Sequence, residues 1–390
     1  MQRRGFLKAG GSILLTYLSS QSHARANKPA SKPQPKDKLT AELERLIPSV
    51  MHEQRIPGAS LALIRDGSLY WARGFGLRSA SAKDAVDKHT IFEAASVSKT
   101  VFAYAILKLC DKGTLALDTP LSKYVPWRFV ENDPRLDRIT ARHILSHSSG
   151  LQDWRSSADP LKIHFNPGEK FLYSGEGYFY LQSVLTHLTG RIDRTQCDKY
   201  EAGFEVCATD FNDYMQRNLL RPFGMTNSAF QWSERTAKRT AFGHDATSKP
   251  KRPAHTRGSD TARYGSAGGL LTTAHDYAQF LLELLTPRPP DDFRLTSDLR
   301  NEMLRAQVKL ASDQLIDGAT SWALGWGVQE RADGNYLVHS GGQPGFRSLA
   351  MASPKNRSAF ALFTNSDNGE KLTYHLPLLE LLDKVLTRKS

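Results

Sequence analysis

Ser96-Val97-Ser98-Lys99, followed without a break by an apolar run to Leu109, is the stretch on which the reading of this 390-residue chain turns. Residues at i and i+3 share one face of a helix, so the spacing sets a hydroxyl beside an amine. A desolvated or hydrogen-bonded lysine can hold the proton that a serine must lose to attack a carbonyl. Spacing alone does not establish this, because Ser248-Lys249-Pro250-Lys251 has the same pattern in a Pro- and Lys-rich loop. The difference is the helix. Val97 to Leu109 is apolar almost all round, which predicts a fully buried helix able to fix the geometry of the first copy.

Upstream, Ala59 to Ile64 and Leu69 to Phe75 flank Asp66-Gly67 and predict a β-hairpin turning on that dipeptide. Downstream, roughly residues 118–290 alternate helical segments with long polar loops. The segments are Ala141 to Ser146, Tyr178 to Thr189, Phe211 to Leu220 and Ala274 to Leu285. Strand signals return at Trp322 to Gln329, Tyr336 to His339, Phe346 to Ala352 and Ala359 to Thr364. Their spacing is that of an antiparallel meander, with Asp333-Gly334 and Pro354-Lys355-Asn356 as turns. An amphipathic helix, Leu372 to Leu386, ends the pattern. The economical packing is α/β of the α+β type. One antiparallel sheet is built from N- and C-terminal segments and flanked by helices, with a mainly helical subdomain alongside. Ser96 falls at that junction, where ligand clefts are favoured.

The N-terminus reads separately. Arg3-Arg4-Gly5-Phe6-Leu7-Lys8 is a twin-arginine pattern, Ile13, Leu14, Leu15 and Leu18 form a short apolar stretch, and Ala24-Arg25-Ala26 is a small-x-small cleavage site. Residues 1–26 are expected to be an export signal, removed to leave a periplasmic or secreted protein. The competing reading is an uncleaved anchor, for which the stretch is far short of the ~20 residues a span needs. Residues 27–38, with four lysines among prolines, read as a disordered linker, leaving 39–390 as the globular domain. Composition, 40% hydrophobic and 24% charged, is that of a soluble globular chain. Arg3, Arg4, Lys8 and Arg25 of the signal account for four of the +12 formal charges. The remainder is spread thinly with no aromatic interleaving, which argues against nucleic acid and is compatible with association with an anionic envelope surface. Cys197 and Cys207 bracket a polar stretch and are expected to form a local disulfide contributing about 2–3 kcal/mol at most. Cys110 lies in the apolar helix and reads as a core thiol.

Two further motifs carry chemistry. Tyr173-Ser174-Gly175 stands just before a helix, where a phenol can point into a cleft and, beside a lysine ammonium, serve as a general base. His339-Ser340-Gly341-Gly342 stands at a strand end, where glycines allow close backbone approach. A backbone N–H there could complete an oxyanion hole with that of Ser96. Taken singly, the tyrosine is equally a structural one, and the glycines equally a turn with an incidental histidine.

In this order the three motifs resemble the serine β-lactamase and penicillin-binding-protein superfamily, over about residues 56–385. Leu145-Ser146-His147-Ser148-Ser149-Gly150-Leu151, Arg221-Pro222-Phe223-Gly224-Met225 and Ala267-Gly268-Gly269-Leu270 add to the likeness. The resemblance implies a β-lactamase/transpeptidase-like fold, Ser96 as acylated nucleophile, Lys99 sharing its proton and Tyr173 as partner base. It further implies that His339, Gly341 and Gly342 line the substrate, with the Ser96 and Gly342 amides as oxyanion donors. No cofactor and no metal are required. Two departures narrow this. Gly175 stands where the superfamily has an asparagine that bonds the substrate's amide carbonyl, and His339 stands where it has a lysine. Both changes favour the esterase, amidase or peptidase-like branch, with Glu176 either replacing lost polarity or serving the helix N-terminus. The expected function is an exported serine hydrolase acting on small esters, amides, β-lactams or cell-wall peptides. A true β-lactamase, a D-Ala-D-Ala carboxypeptidase and a non-hydrolytic penicillin-binding sensor remain the alternatives. An α/β-hydrolase triad is set aside because no Gly-x-Ser-x-Gly occurs. His143 and His147, at i and i+4, lack a third ligand for zinc and read as a solvated or locally bonded pair.

Overall fold

The antiparallel pairing expected of the two chain ends is present as one eight-stranded sheet in a computed structural model. The structure describes residues 37–81, 83–190, 198–199, 205–206, 208–251 and 265–387. The export signal, most of the linker, Cys197 and Cys207 therefore lie outside the described residues. Strands β1 (Gly58–Arg65) and β2 (Ser68–Gly76) turn on Asp66 and Gly67, both at positive φ, as an Asp-Gly hairpin requires. The other six are β3 (Val308–Lys309), β4 (Ser321–Trp322), β5 (Gly327–Arg331), β6 (Gly334–Gln343), β7 (Phe346–Ser353) and β8 (Ser358–Thr364). They order as β2-β1-β8-β7-β6-β5-β4-β3, so the N-terminal hairpin joins the C-terminal meander through the β1–β8 pair.

Both faces of the sheet are covered, and side-chain size alternates between them. Leu61, Leu63, Leu349, Met351, Phe360 and Leu362 belong to the outer core, packed with α1 (Lys38–Glu53) and the C-terminal helix. Ala62, Ala350, Ala352, Ala359 and Ala361 belong to the inner core. Because successive side chains in a strand point to opposite faces, the alanines let helices approach the inner face closely. α6 (Ala274–Leu285) packs on that face, and α2 (Ser98–Asp111), α3 (Ala141–Leu145), α4 (Gly175–Thr189) and α5 (Ala208–Met215) extend the same core. As its composition implied, α2 is buried from Ser98 through Leu109. No helix among the described residues is long and apolar enough to cross a membrane.

Several boundaries differ from expectation for identifiable reasons. The linker ends earlier than expected, since Lys38 already opens α1, whose Leu43, Ile47, Val50 and Met51 form a buried stripe despite Pro48. The single strand expected over Trp322 to Gln329 is two, broken at Gly325. That residue has φ +86 and lies so close to α2 that a Cβ would stand 2.6 Å from the Ala103 methyl. The C-terminal helix is also split, into Glu370–Thr373 and α7 (Leu376–Thr387). His339-Ser340-Gly341-Gly342 lies at the C-terminal end of a strand, as expected, and not in a turn; β6 ends one residue later, at Gln343. Cys110 is half-buried against the inner core, and burial pushes its thiol up to about 12.

Candidate active site

The site is assembled at the start of α2. A one-turn 3-10 segment, Ala95–Val97, precedes the helix, and Ala95 is held at φ +50, a region that side chains other than glycine rarely occupy. Such strain persists only when the surroundings over-determine it. Here they do. Ser98 donates to the Ala95 carbonyl at 2.6 Å and accepts from the Leu270 N–H at 3.0 Å, while Ser348 donates to the Ala94 carbonyl at 2.8 Å. Ser98 is thus a fully buried brace, and Ser96 remains half-exposed beside it.

Lys99 is buried, with 1% of its surface exposed. Its Nζ donates to the Ala267 carbonyl at 2.7 Å and to Ser96 Oγ at 3.3 Å, and lies 4.9 Å from the Tyr173 ring centre. The Ala267-Gly268-Gly269-Leu270 stretch is therefore the backstop of the motif, with a carbonyl for Lys99 and an amide for Ser98. Desolvation lowers the Lys99 amine to about 7, opposed by the attraction of the Asp153 carboxylate. Near neutrality a substantial share of the amine is uncharged.

Tyr173 reaches Ser96 with its phenol. Burial pushes its pKa well above the usual tyrosine value, and the hydrogen bond with Ser96 offsets only part of this. The ring is clamped by His147, stacked at 4.2 Å between centres, with Trp322 edge-on at 6.0 Å. His147 Nδ1 accepts the Ser174 N–H at 3.0 Å, which leaves the hydrogen on Nε2. Burial together with Lys99 and His339 keeps this imidazole neutral. It is a locally bonded core residue, not one of a solvated pair, and it positions the tyrosine loop.

His339 corrects another expectation. Its side chain is 2% exposed, enclosed beside Trp322, and Nδ1 donates to the Ser340 carbonyl at 2.6 Å. Burial and the nearby Lys99 lower it to about 3. It therefore offers a substrate neither a charge nor an exposed edge. What β6 does offer is backbone. A Cβ on Gly341 would stand 2.9 Å from Ser96 N and 2.6 Å from Ala94 O, so the glycine is what allows the strand to touch the nucleophile turn. The Ser340 N–H points away from β7, to Asp317 Oδ2 at 3.0 Å. Alternate residues of a strand share an edge, so the Gly342 N–H two residues on faces the same way, past the end of β5.

Gly175 carries no polar group toward a substrate, and its neighbourhood excludes one. A Cβ there would stand 2.2 Å from the Trp154 ring. The loop carrying Trp154 is tied to the first turn of α4 at several points. Asp153 Oδ1 accepts the Gly175 N–H at 2.8 Å, the Asp153 carbonyl accepts the Glu176 N–H at 2.8 Å, and Arg155 pairs with buried Glu176 at 2.9 Å. Glu176 is thus committed to Arg155 and does not replace the missing contact. Ser248-Lys249 lies apart from this site, Ser248 bonding to the Arg55 carbonyl. Among the described residues no group of His, Cys, Asp and Glu is arranged to hold a metal.

The family model described as Beta-lactamase matches residues 43–383 of the chain. Protein flp of Staphylococcus aureus (strain N315) is 23% identical over 357 residues, 86% of this chain and 65% of that protein, so the chain spans just under two thirds of that relative. Penicillin-binding protein 4 of Amycolatopsis lactamdurans is 26% identical over 331 residues, 80% of this chain and 82% of that one. Two solved structures share the fold. The octameric penicillin-binding protein homologue from Pyrococcus abyssi superposes with TM-score 0.70 at 24% identity, covering 89% of this chain and 79% of that one. A class C β-lactamase gives 0.71 at 17% identity, covering 90% and 97%.

Proposed function

The chain belongs to the β-lactamase family, a serine hydrolase superfamily, and from that premise we propose that it cleaves an ester or amide through an acyl-Ser96 intermediate. One observation carries the reading: a buried amine near neutrality, 3.3 Å from a half-exposed serine hydroxyl. In this scheme uncharged Lys99 takes the Ser96 proton as Oγ attacks the carbonyl carbon. The developing oxyanion lies between the Ser96 and Gly342 N–H groups. The Tyr173 phenol passes a proton to the leaving amine or alcohol as its bond to carbon breaks, and recovers one from the Lys99 ammonium. Water then attacks the acyl carbon, loses its proton along the same route, and restores Ser96.

Trp154 over Gly175 and the enclosed His339 favour esters and amides over efficient β-lactam turnover. Penicillin binding in the names of relatives supports a small carbonyl substrate in the same cleft. The proposal includes export by the Arg3-Arg4 signal. Intact-mass analysis of wild type and Ser96→Ala, mixed with a penicillin and with a short-chain nitrophenyl ester, tests it. Ester turnover and a transient acyl adduct, both absent in Ser96→Ala, are expected. Turnover that survives the substitution refutes the mechanism. A permanent adduct without turnover points to the sensor.

A further inference from the structure

We propose that Asp153 selects the substrate of this site, and that the acyl donors it selects carry a free protonated amine beside the scissile carbonyl: aminoacyl esters and amides with an unblocked N terminus. This rests on the acyl-Ser96 reading above and names its substrate class. The geometry begins at Gly175. With the Trp154 ring 2.2 Å from where a Cβ would stand, no amide side chain can occupy the place beside Tyr173. The polar side chain that this loop does bring to Gly175 is the carboxylate of Asp153. Asp153 Oδ1 is held at 2.8 Å by the Gly175 N–H, two residues after Tyr173, and the Glu176 N–H fixes the Asp153 carbonyl. The side chain is open to solvent, and Oδ2 makes no hydrogen bond or ion pair with the described residues.

A carboxylate only accepts hydrogen bonds, whereas an amide both donates and accepts. Asp153 therefore cannot donate to the carbonyl of an acylated amine, and it repels a carboxylate. An ammonium satisfies it. The other carboxylates nearby are engaged: Glu176 pairs with Arg155, Asp159 with Lys162, and Asp317 accepts from the Ser340 N–H and the Tyr374 hydroxyl, so the attraction at the rim comes from Asp153. It also acts on Lys99, pulling the proton affinity of the amine upward. Ser96, the Ala267 carbonyl, the rings of Tyr173 and Tyr178, and neutral His147 and His339 complete the surroundings of Lys99. A substrate ammonium seated on Asp153 cancels that pull, so the correct substrate releases Lys99 as a base.

The test compares kcat/KM for alanine p-nitroanilide, in both configurations, with its N-acetyl counterpart, using wild type, Asp153→Asn and Asp153→Glu. Asn keeps an oxygen for the Gly175 N–H, so the variant isolates charge, and melting curves check folding. Wild type is expected to favour the free amine by about 10- to 100-fold, the range of a charge-assisted hydrogen bond. Asn collapses that ratio, Glu retains part of it, and the acidic limb for the N-acetyl substrate moves to lower pH in Asp153→Asn. A wild-type ratio at or below one, an unchanged ratio in Asp153→Asn, or rejection of all four anilides while a nitrophenyl ester still acylates Ser96, overturns the inference and leaves the hydrolase reading standing. Ester turnover in Ser96→Ala removes the hydrolase reading itself.

Discussion

Gly341→Ala is the most discriminating single change, because the adjacent Gly342→Ala is its control. The added methyl at 341 would stand 2.4 Å from Ser348 Oγ, 2.6 Å from Ala94 O and 2.9 Å from Ser96 N. Ser348 can swing away only by giving up its bond to the Ala94 carbonyl. The other two atoms are backbone of the strained turn that carries the nucleophile. Ordinary contact begins near 3.4 Å, so strand and turn must separate by about 0.8 Å at the Ala94 carbonyl. Misplacing a reacting group by ~1 Å costs about 100-fold in rate, and overpacking of this kind costs about 1–3 kcal/mol in stability. At 342 the nearest atom is Arg347 Cδ at 3.5 Å, on a flexible side chain, and the N–H is retained. The expected result is a fall in kcat/KM of about 100-fold for Gly341→Ala and under about threefold for Gly342→Ala, read by nitrophenyl ester hydrolysis and adduct mass. If Gly341→Ala acylates as fast as Gly342→Ala, β6 is not the wall of this site.

For wild type, kcat/KM should fall about tenfold per pH unit below about 7 as the Lys99 amine protonates. The same depressed pKa predicts stability: between about 7 and the unfolded lysine value the unfolded chain holds a proton that the folded one has lost. Stability of wild type relative to Lys99→Met therefore rises with pH across that window, by denaturant titration, and a flat difference contradicts the assignment. Arg155→Ala removes the ion-pair partner of Glu176, whose side chain is fully buried, and should cost about 3 kcal/mol; adding Glu176→Gln should recover much of it in the same melts.

How much of this was legible depends on whether the signal was local. The buried helix after Ser96, the Asp66-Gly67 hairpin and the meander follow from periodicity and turn chemistry, which reside within a few residues. The alanine-lined inner face was also present in the pattern, since Ala350, Ala352, Ala359 and Ala361 alternate with larger residues. What escaped was set by partners far along the chain. Nothing near Gly175 announces that Trp154 fills its side-chain space. Nothing near Gly325 shows that α2 passes within contact of it. His147 was visible as half of a metal spacing and within a stretch that adds to the family likeness, but its partner, the Ser174 amide, lies 27 residues away. The α1 stripe was within reach, but Pro48 and the preceding linker obscure it.

Burial acts in opposite directions on the two groups that could take the Ser96 proton. Removing water disfavours whichever form is charged, so one enclosed environment lowers Lys99 and raises Tyr173. A lysine poised near neutrality gains as a base, whereas a tyrosine with its proton locked on is left as a donor. The two assignments part on Tyr173→Phe. If Tyr173 relays a proton to the leaving group, its loss matters where that group is a poor one. An alkyl amide must be protonated as it departs, and a nitrophenolate need not be. Removal of the phenol should then slow amide cleavage by about 100-fold or more while slowing nitrophenyl ester acylation far less. If Tyr173 were the base that activates Ser96, both substrates would lose equally. Equal losses would return the role to the tyrosine and demand a reason why a phenol so deeply desolvated gives up its proton.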